Sequence, residues 1–170
     1  QPSDTGIEGG DYRTIKRSGP PFFCPTDVAV TPTGEMYATD GYRNARVHKF
    51  SAEGTLLFSW GEPGSGPGEF NVPHGVVLDS EGRVYVADRE NHRIQVFDRN
   101  GKFETQWINM ARPCGLYINQ ETERVYVGEL GPAIGANDQA SGLGPRVSIY
   151  DTKGELLARL GGEPEGEQAG

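Results

Sequence analysis

The sequence predicts an all-β fold, a β-propeller with three four-stranded blades. Three observations support this prediction: one segment occurs three times, each copy holds four short apolar runs, and turn-forming residues separate the runs. The copies begin at Pro25, Pro73 and Pro113. Four strands every ~40–48 residues are typical of a propeller blade. A β-sandwich, the alternative all-β fold, does not require the same four-strand unit three times.

The four runs follow the same order in every copy. They are Val28–Val30, Met36–Thr39, Val47–Phe50 and Leu56–Trp60; Val76–Leu78, Val84–Ala87, Ile94–Phe97 and Phe103–Trp107; and Leu116–Ile118, Val125–Gly128, Val147–Tyr150 and Leu156–Leu160. Runs of this length, rich in Val, Ile, Tyr and Phe and bounded by turns such as "DSEGR" and "DRNG", are typical of antiparallel strands. The first run is uniformly apolar, so it is predicted to line the channel with both faces covered. The fourth carries polar residues such as Glu104 and is predicted to be the outer edge.

Three blades do not close a ring, because four is the practical minimum. The sequence divides into an N-terminal extension or remnant of a preceding blade (1–19), three blades (20–66, 67–110 and 111–162) and a linker toward a missing blade (163–170). The tail "GGEPEGEQAG" is similar to "GEPGSGPGEF" between the first two blades, which favours a piece of a larger propeller. Self-association of two copies and loss of blade-like material at both ends are the alternatives.

Composition and charge limit the classes of partner that this protein is expected to bind. The net charge is −8, from 16 Lys and Arg against 24 Asp and Glu. Because no block rich in Lys or Arg is present, nucleic acid is not an expected partner. No apolar run approaches the ~18 residues of a membrane span, so no membrane partner is expected either. The start, "QPSDTGIEGG", shows no signal peptide, and two cysteines are too few for a disulfide framework.

Two loop motifs make the comparison with known families specific. "TDGYRNARVHKF" (39–50) and "ADRENHRIQVF" (87–97) resemble NHL repeats, and residues 20–162 can be aligned with that family. Together with "VPH" at 72–74, they are similar to the lyase domain of peptidylglycine α-amidating enzymes. This resemblance implies a six-bladed propeller that cleaves a peptidyl-α-hydroxyglycine into a peptide amide and glyoxylate. It also implies an extracellular or periplasmic location and a peptide or small-molecule substrate.

The resemblance assigns a role to three residues. His74 matches one of three histidines that hold a zinc ion on alternate blades, whereas Thr26 and Cys114 occupy the same position in blades without a ligand. Three ligands at 120° leave coordination positions open for substrate. Tyr42 matches the catalytic tyrosine, expected to act as general base, and Arg89 an active-site arginine that holds a carboxylate or stabilises negative charge. A structural calcium ion is a further expectation.

Only one of the three zinc ligands is expected within this chain. The other two histidines would belong to a blade before residue 20 and a blade after residue 162. The 170-residue chain alone is therefore not expected to be active. A second arginine of the family would also lie upstream.

Several recurring or conspicuous residues are interpreted as scaffold. His48 and His92 are expected at the surface, and Trp60 and Trp107 between blades. An acidic residue ends each second run and an arginine begins each third run, which predicts structural salt bridges or turn caps; these are Asp40, Asp88 and Glu129, and Arg46, Arg93 and Arg146. A structural interpretation also exists for the site: Tyr42 could pack over its loop, and Arg89 could pair with Glu90.

The cysteines are expected to be unpaired. In the amidating enzymes the counterpart of Cys24 forms a disulfide with a cysteine at the position of Arg43, so Cys24 is expected to be a free, buried thiol. Cys114 has no counterpart in that family, and a Cys24–Cys114 bridge is not expected.

Two other functions remain open on sequence alone. The first is a non-catalytic NHL propeller that binds a peptide, a glycan or a partner protein. The second is a calcium-dependent lactonase, which would need several convergent Asp, Asn and Glu side chains around the channel. The first runs of the three copies do not offer such a cluster.

Overall fold

The protein is described by a computed structural model that covers residues 4–19, 22–131 and 145–161. It confirms the all-β propeller fold. The strands are β1 (Pro25–Val30), β2 (Met36–Asp40), β3 (Arg46–Phe50), β4 (Leu56–Trp60), β5 (Glu62–Pro63), β6 (Glu69–Phe70), β7 (Pro73–Leu78), β8 (Val84–Asp88), β9 (Arg93–Phe97), β10 (Phe103–Trp107), β11 (Pro113–Asn119), β12 (Arg124–Glu129), β13 (Arg146–Asp151) and β14 (Leu156–Leu160). Two single-turn 3₁₀ helices cover Tyr12–Thr14 and Arg89–Asn91.

Three antiparallel sheets form the blades, with the strand orders β1-β2-β3-β4, β7-β8-β9-β10 and β11-β12-β13-β14. The inner strands β1, β7 and β11 lie side by side, with β7 in the middle. A short parallel pair, β5 with β6, joins the first two blades and was not predicted from the sequence. The exact blade boundaries stay predictions, and the proposed linker 163–170 lies outside the described residues.

The core lies between the blades. Val47 of the first blade packs with Val76, Val86 and Phe97 of the second, and a second cluster joins the second blade to the third. The predicted role of the tryptophans is confirmed: Trp60 lies 5.6 Å from Phe97, and Trp107 stacks on Tyr150 at 5.4 Å between ring centroids. Burying such aromatic surface stabilises the contact by about 1.5–3 kcal/mol per side chain.

The inner strands differ from their prediction in burial. Only β7 is largely buried, because it has an inner-strand neighbour on both sides. Val28 and Val30 on β1 and Tyr117 on β11 are exposed, since within the described residues each of these strands has such a neighbour on one side only. The apolar runs therefore predicted the inner strands correctly, but they did not predict which of these strands are buried.

The inner strands also begin earlier than predicted, at the recurring proline. Directly after that proline the register with the second strand shifts, between Pro25 and Asp27, Pro73 and Gly75, and Pro113 and Gly115. The extra residues are Thr26, His74 and Cys114. A bulge of this kind re-aims the side chain of the extra residue, and bulges are frequent beside active sites.

Across the described ranges, no helix is long and apolar enough to cross a membrane.

Candidate active site

His74 is half-buried at the bulge of β7. Its Nδ1 lies 3.3 Å from the carbonyl oxygen of Cys114 on β11, the next inner strand. Its Nε2 lies 3.2 Å from the hydroxyl oxygen of Tyr42, from the first blade. The histidine therefore contacts both neighbouring blades.

Tyr42 is placed by the glycine that precedes it. A Cβ on Gly41 would collide with the backbone carbonyl of Pro73, so only glycine lets the loop after β2 approach the start of β7 this closely. The Tyr42 ring meets the His74 ring edge to face, with centroids 5.6 Å apart and planes at 83°. Its side chain remains 43% exposed, which leaves it accessible to a ligand.

Arg89 completes this contact from the 3₁₀ helix after β8. Its backbone N–H donates to the carbonyl of Val72, which holds the helix against the start of β7. Its Nη1 donates to the Tyr42 hydroxyl oxygen at 2.9 Å, and its guanidinium carbon lies 5.0 Å from the centroid of that ring. The three predicted residues, His74, Tyr42 and Arg89, thus lie together.

Glu90 holds two arginines at the same place. Its Oε1 accepts hydrogen bonds from Arg89 Nε at 2.8 Å and from Arg112 Nε and Nη2 at 3.1 and 2.9 Å. The structural interpretation of Arg89 as a partner of Glu90 therefore holds together with its contact to Tyr42.

The local environment shifts the pKa values of two neighbouring groups. Burial lowers the pKa of His74, and the positive charge of Arg89 lowers it further. Burial raises the pKa of the Cys114 thiol despite the nearby Arg89. Both shifts favour the neutral forms of these groups.

The Arg89 guanidinium and the Glu90 carboxylate both keep their charges in this cluster. Burial opposes the charge of Arg89, but hydrogen bonds to Tyr42 and Glu90 outweigh it and raise its pKa. Burial likewise disfavours the Glu90 carboxylate, but hydrogen bonds from Arg112 and Arg89 outweigh it and lower its pKa.

Sequence reasoning named Glu90 only as a partner of Arg89, and it missed both Arg112 and the contact between Cys114 and His74. The Cys114 sulfur lies 3.1 Å from His74 Nδ1, so this residue belongs to the site although the amidating family gives it no role. The repeat itself held the signal. Cys114 and His74 share one position in successive blades, and successive inner strands are neighbours.

The prediction for His48 is wrong. It is buried, with Nδ1 2.7 Å from Ser59 Oγ and Nε2 3.7 Å from the Asp40 carboxylate. The equivalent residue in the second blade, Gln95, donates a hydrogen bond to Asp88 at 3.1 Å. The polar residue at this position of the third strand therefore has a structural role. His92 is exposed, as expected.

The predicted salt bridges occur in two of the three blades. Arg93 Nε lies 2.8 Å from Asp88, and Arg146 lies 3.0 Å from Glu129. In the first blade Arg46 instead pairs with Glu62 at 2.5 Å. Its expected partner, Asp40, accepts from the backbone N–H groups of Phe23 and Cys24 and from Asn44, because His48 and Asn44 occupy its surroundings.

Both cysteines are free and half-buried. Arg43, where the amidating enzymes have the second cysteine of their disulfide, places its guanidinium 5.5 Å from the Phe23 ring centroid.

Within the described residues, no three His, Cys, Asp or Glu side chains converge in a way that could hold a metal ion. His74 is the one predicted zinc ligand that the structure describes. Further ligands would have to come from outside the described residues.

Comparison with known proteins confirms the resemblance predicted from the motifs. Residues 70–97 match the sequence model of the NHL repeat. Human NHL repeat-containing protein 3 is 48% identical over 88 residues, which are 50% of this chain and 25% of that protein. Peptidyl-alpha-hydroxyglycine alpha-amidating lyase 1 of Drosophila melanogaster is 40% identical over 102 residues, 54% of this chain and 19% of the relative. The chain thus spans a quarter or less of the length of these relatives.

Solved structures confirm the fold alone. The WD40 repeats of RRP9 superpose with a TM-score of 0.64 at 16% identity, over 87% of this chain and 42% of that one. A streptogramin B lyase superposes with a TM-score of 0.59 at 19% identity, over 80% of this chain and 40% of that one.

Proposed function

We propose that this chain, which carries an NHL repeat and resembles amidating lyases, supplies part of the active site of a zinc-dependent lyase. The reaction cleaves the C–N bond of a peptidyl-α-hydroxyglycine and yields a peptide amide and glyoxylate. One observation supports it above the others. The Tyr42 hydroxyl lies 3.2 Å from His74 Nε2 and 2.9 Å from Arg89 Nη1, so residues from two blades meet at one atom.

His74 has the features of a metal-ligating imidazole. Its neutral form is favoured, and the Cys114 carbonyl near Nδ1 favours the tautomer that leaves a lone pair on Nε2. A hydrogen bond from the second ring nitrogen to a carbonyl is the usual support of a ligating histidine. A zinc ion held by His74 and by ligands outside the described residues would supply positive charge that lowers the pKa of the substrate hydroxyl.

Tyr42 is placed to move the proton. In its phenolate form, Tyr42 could accept the proton of the substrate hydroxyl as general base, while Arg89 holds the phenolate oxygen in position. The alkoxide oxygen then forms the aldehyde carbonyl of glyoxylate, and the C–N bond breaks with its electrons on nitrogen. The proton taken by Tyr42 returns to this nitrogen, which completes the amide.

The same resemblance supports a peptide substrate and an extracellular or periplasmic location. The structural calcium ion remains a proposal on the same ground.

Two measurements on a complete propeller that contains this chain test the proposal: its zinc content and its release of glyoxylate from a peptidyl-α-hydroxyglycine. We expect zinc in a 1:1 ratio to the protein, and the loss of both zinc and glyoxylate release in His74→Ala. His92→Ala, which changes an exposed histidine of the same blade, is expected to keep both. Zinc content that is unchanged by His74→Ala, or a zinc-loaded protein that releases no glyoxylate, would overturn the proposal.

A second candidate is a propeller that binds a peptide without chemistry. It is supported by the 48% identity to human NHL repeat-containing protein 3, a relative named for the repeat itself. Under this alternative, the protein would bind peptides at Tyr42 and Arg89 in the absence of zinc. His74→Ala would then leave peptide affinity unchanged.

A further inference from the structure

Both contacts between the described blades use the same arrangement of side chains. The tryptophan that ends a fourth strand lies against an aromatic ring on the third strand of the next blade. The two pairs are Trp60 with Phe97, and Trp107 with Tyr150. The same tryptophan also covers a turn glycine of the next blade. A Cβ on Gly101 would collide with Trp60, and a Cβ on Gly154 would collide with Trp107.

The third blade repeats one half of this arrangement, but no blade packs on it among the described residues. Leu160 ends its fourth strand at the position of the two tryptophans, and it is 59% exposed. Tyr117 on β11 is exposed too, although its counterpart Val77 packs against the third blade. We call this surface the tail face; its exposed apolar residues are Tyr117, Val147 and Leu160.

The first blade repeats the other half on its free side. Phe22 lies 5.3 Å from Phe50 between ring centroids. Their counterparts in the second blade, Phe70 and Phe97, lie 5.8 Å apart in the core that joins this blade to the first. The position of Phe22 is therefore one that the second blade uses to hold its neighbour.

The same side of the first blade has room for a large side chain. Gly54 is the counterpart of the two covered turn glycines, yet a Cβ on it would meet no described atom within 4 Å. Val28 is 55% exposed, whereas its counterpart Val76 is buried. Together these side chains border a groove of about 630 Å³. We call this surface the head face; it consists of Phe22, Val28, Val30, Phe50 and Gly54.

We infer that the head face of one copy of this chain binds the tail face of a second copy, and that two copies close a six-bladed ring. The two faces differ and are complementary, so the contact is head to tail, and such contacts form rings when the rotation closes. Propellers have roughly four to eight blades, and six is the only multiple of three in that range. In each of the two contacts, Leu160 of one copy lies on Phe50 and Gly54 of the other.

This inference does not rest on the proposed function, because it concerns assembly and is measured without substrate or metal. It brings His74 of the second copy to the opposite side of the same channel.

The mass of the 170-residue chain in solution tests the inference, measured by light scattering after size-exclusion chromatography over a series of concentrations. We expect a mass about twice the 18.5 kDa of one chain. The mass of a single chain at every concentration would overturn the inference. So would masses above two copies, because they would show an open head-to-tail assembly.

Two substitutions place a charge in the proposed contact. Val28→Glu and Leu160→Glu change residues that are exposed in the single chain, and each is expected to reduce the mass to that of one copy. Leu57→Glu is the matched control. Leu57 is also exposed, but its counterpart Glu104 stays exposed in the second blade, which has a neighbour on both sides. Leu57→Glu is therefore expected to keep the mass of two copies, and a single-chain mass in this control would contradict the proposed surface.

Two further measurements distinguish a head-to-tail contact from other pairings. A mixture of Val28→Glu with Leu160→Glu is expected to recover pairs, because one of the two contacts then contains neither substitution. Failure of the mixture to recover pairs would overturn the head-to-tail contact. Leu160→Trp restores the residue found in the other two blades and should lower the dissociation constant about tenfold. This variant provides the answer if the Glu variants do not fold, and an unchanged or weaker association would overturn the inference.

Discussion

Replacing Glu90 by Gln is expected to destabilise the protein measurably although the shape of the side chain is kept. Three hydrogen bonds from two arginines converge on Oε1, and the Glu90 side chain is only 11% exposed. Complete removal of one partner from a buried ion pair costs about 3–5 kcal/mol. Gln keeps an acceptor oxygen and loses the charge assistance, which is worth roughly 0.5–1 kcal/mol per bond. The expected loss in the free energy of unfolding is therefore about 2 kcal/mol.

Thermal and urea unfolding of the two proteins measure this loss. For a domain of this size, about 2 kcal/mol lowers the melting temperature by roughly 4–8 °C. The difference should depend on pH. The folded-state pKa of Glu90 is lowered, so its contribution is present above the ordinary value of 4.5 and is lost as pH falls through the lowered pKa. The stabilities of the unmodified protein and the Gln variant should therefore converge in acid.

Glu81→Gln is the matched control. Glu81 is 73% exposed and lies 3.7 Å from Arg83, so the loss of this surface pair is expected to cost about 0–0.5 kcal/mol. Equal stability of Glu90→Gln and the unmodified protein at pH 7 would refute the argument. So would a difference between them that stays constant down to pH 3.

Substitutions at three further positions follow from contacts at the site and in the first blade. Tyr42→Phe removes the shared hydroxyl and should lower glyoxylate release by the complete propeller about 10²–10⁴-fold. The melting temperature should fall only slightly, because Arg89 loses one hydrogen bond but keeps its bond to Glu90. An unaffected rate would refute its role as base. His48→Gln should cost less than about 1 kcal/mol in urea unfolding, because the second blade has Gln95 buried at the equivalent position. His48→Leu should cost about 1–3 kcal/mol, because it removes the buried contact between the ring and Ser59 Oγ. Equal losses of stability in His48→Gln and His48→Leu would contradict this equivalence between His48 and Gln95. Gly41→Ala should lower stability by about 1–3 kcal/mol, because its Cβ meets the backbone of the next blade, and Gly115→Ala, with open space, is the control; equal melting temperatures would exclude the collision.

The strands were predictable because each apolar run and turn is a local signal. All twelve blade strands occur where the repeats place them, with ends that differ by up to three residues. Burial was less predictable, since it depends on the neighbouring blade: Val28 and Val76 occupy equivalent positions, yet one is exposed and the other buried.

The site was predictable in part, by resemblance to a family. The motifs identified Tyr42, His74 and Arg89, which do lie together. Sequence reasoning named Glu90 only as a possible partner of Arg89 and did not identify Arg112. The pairing of Glu90 with Arg112 joins the loop after β8 to the residue before β11. Such a contact across blades leaves no periodic pattern in either segment. The wrong prediction for His48 has a different cause. A polar side chain does not by itself indicate exposure, because the buried carboxylates of the repeat, such as Asp40, require polar neighbours.

At the bulge in each inner strand, the side chain varies while the pairing of the strands stays the same. Thr26, His74 and Cys114 differ in side-chain chemistry, yet the backbone around them follows one register. At this position a single substitution can exchange a hydroxyl, an imidazole and a thiol without altering the strand pairing. A reactive group can therefore be introduced or removed in one blade while the strand pairing of that blade stays the same.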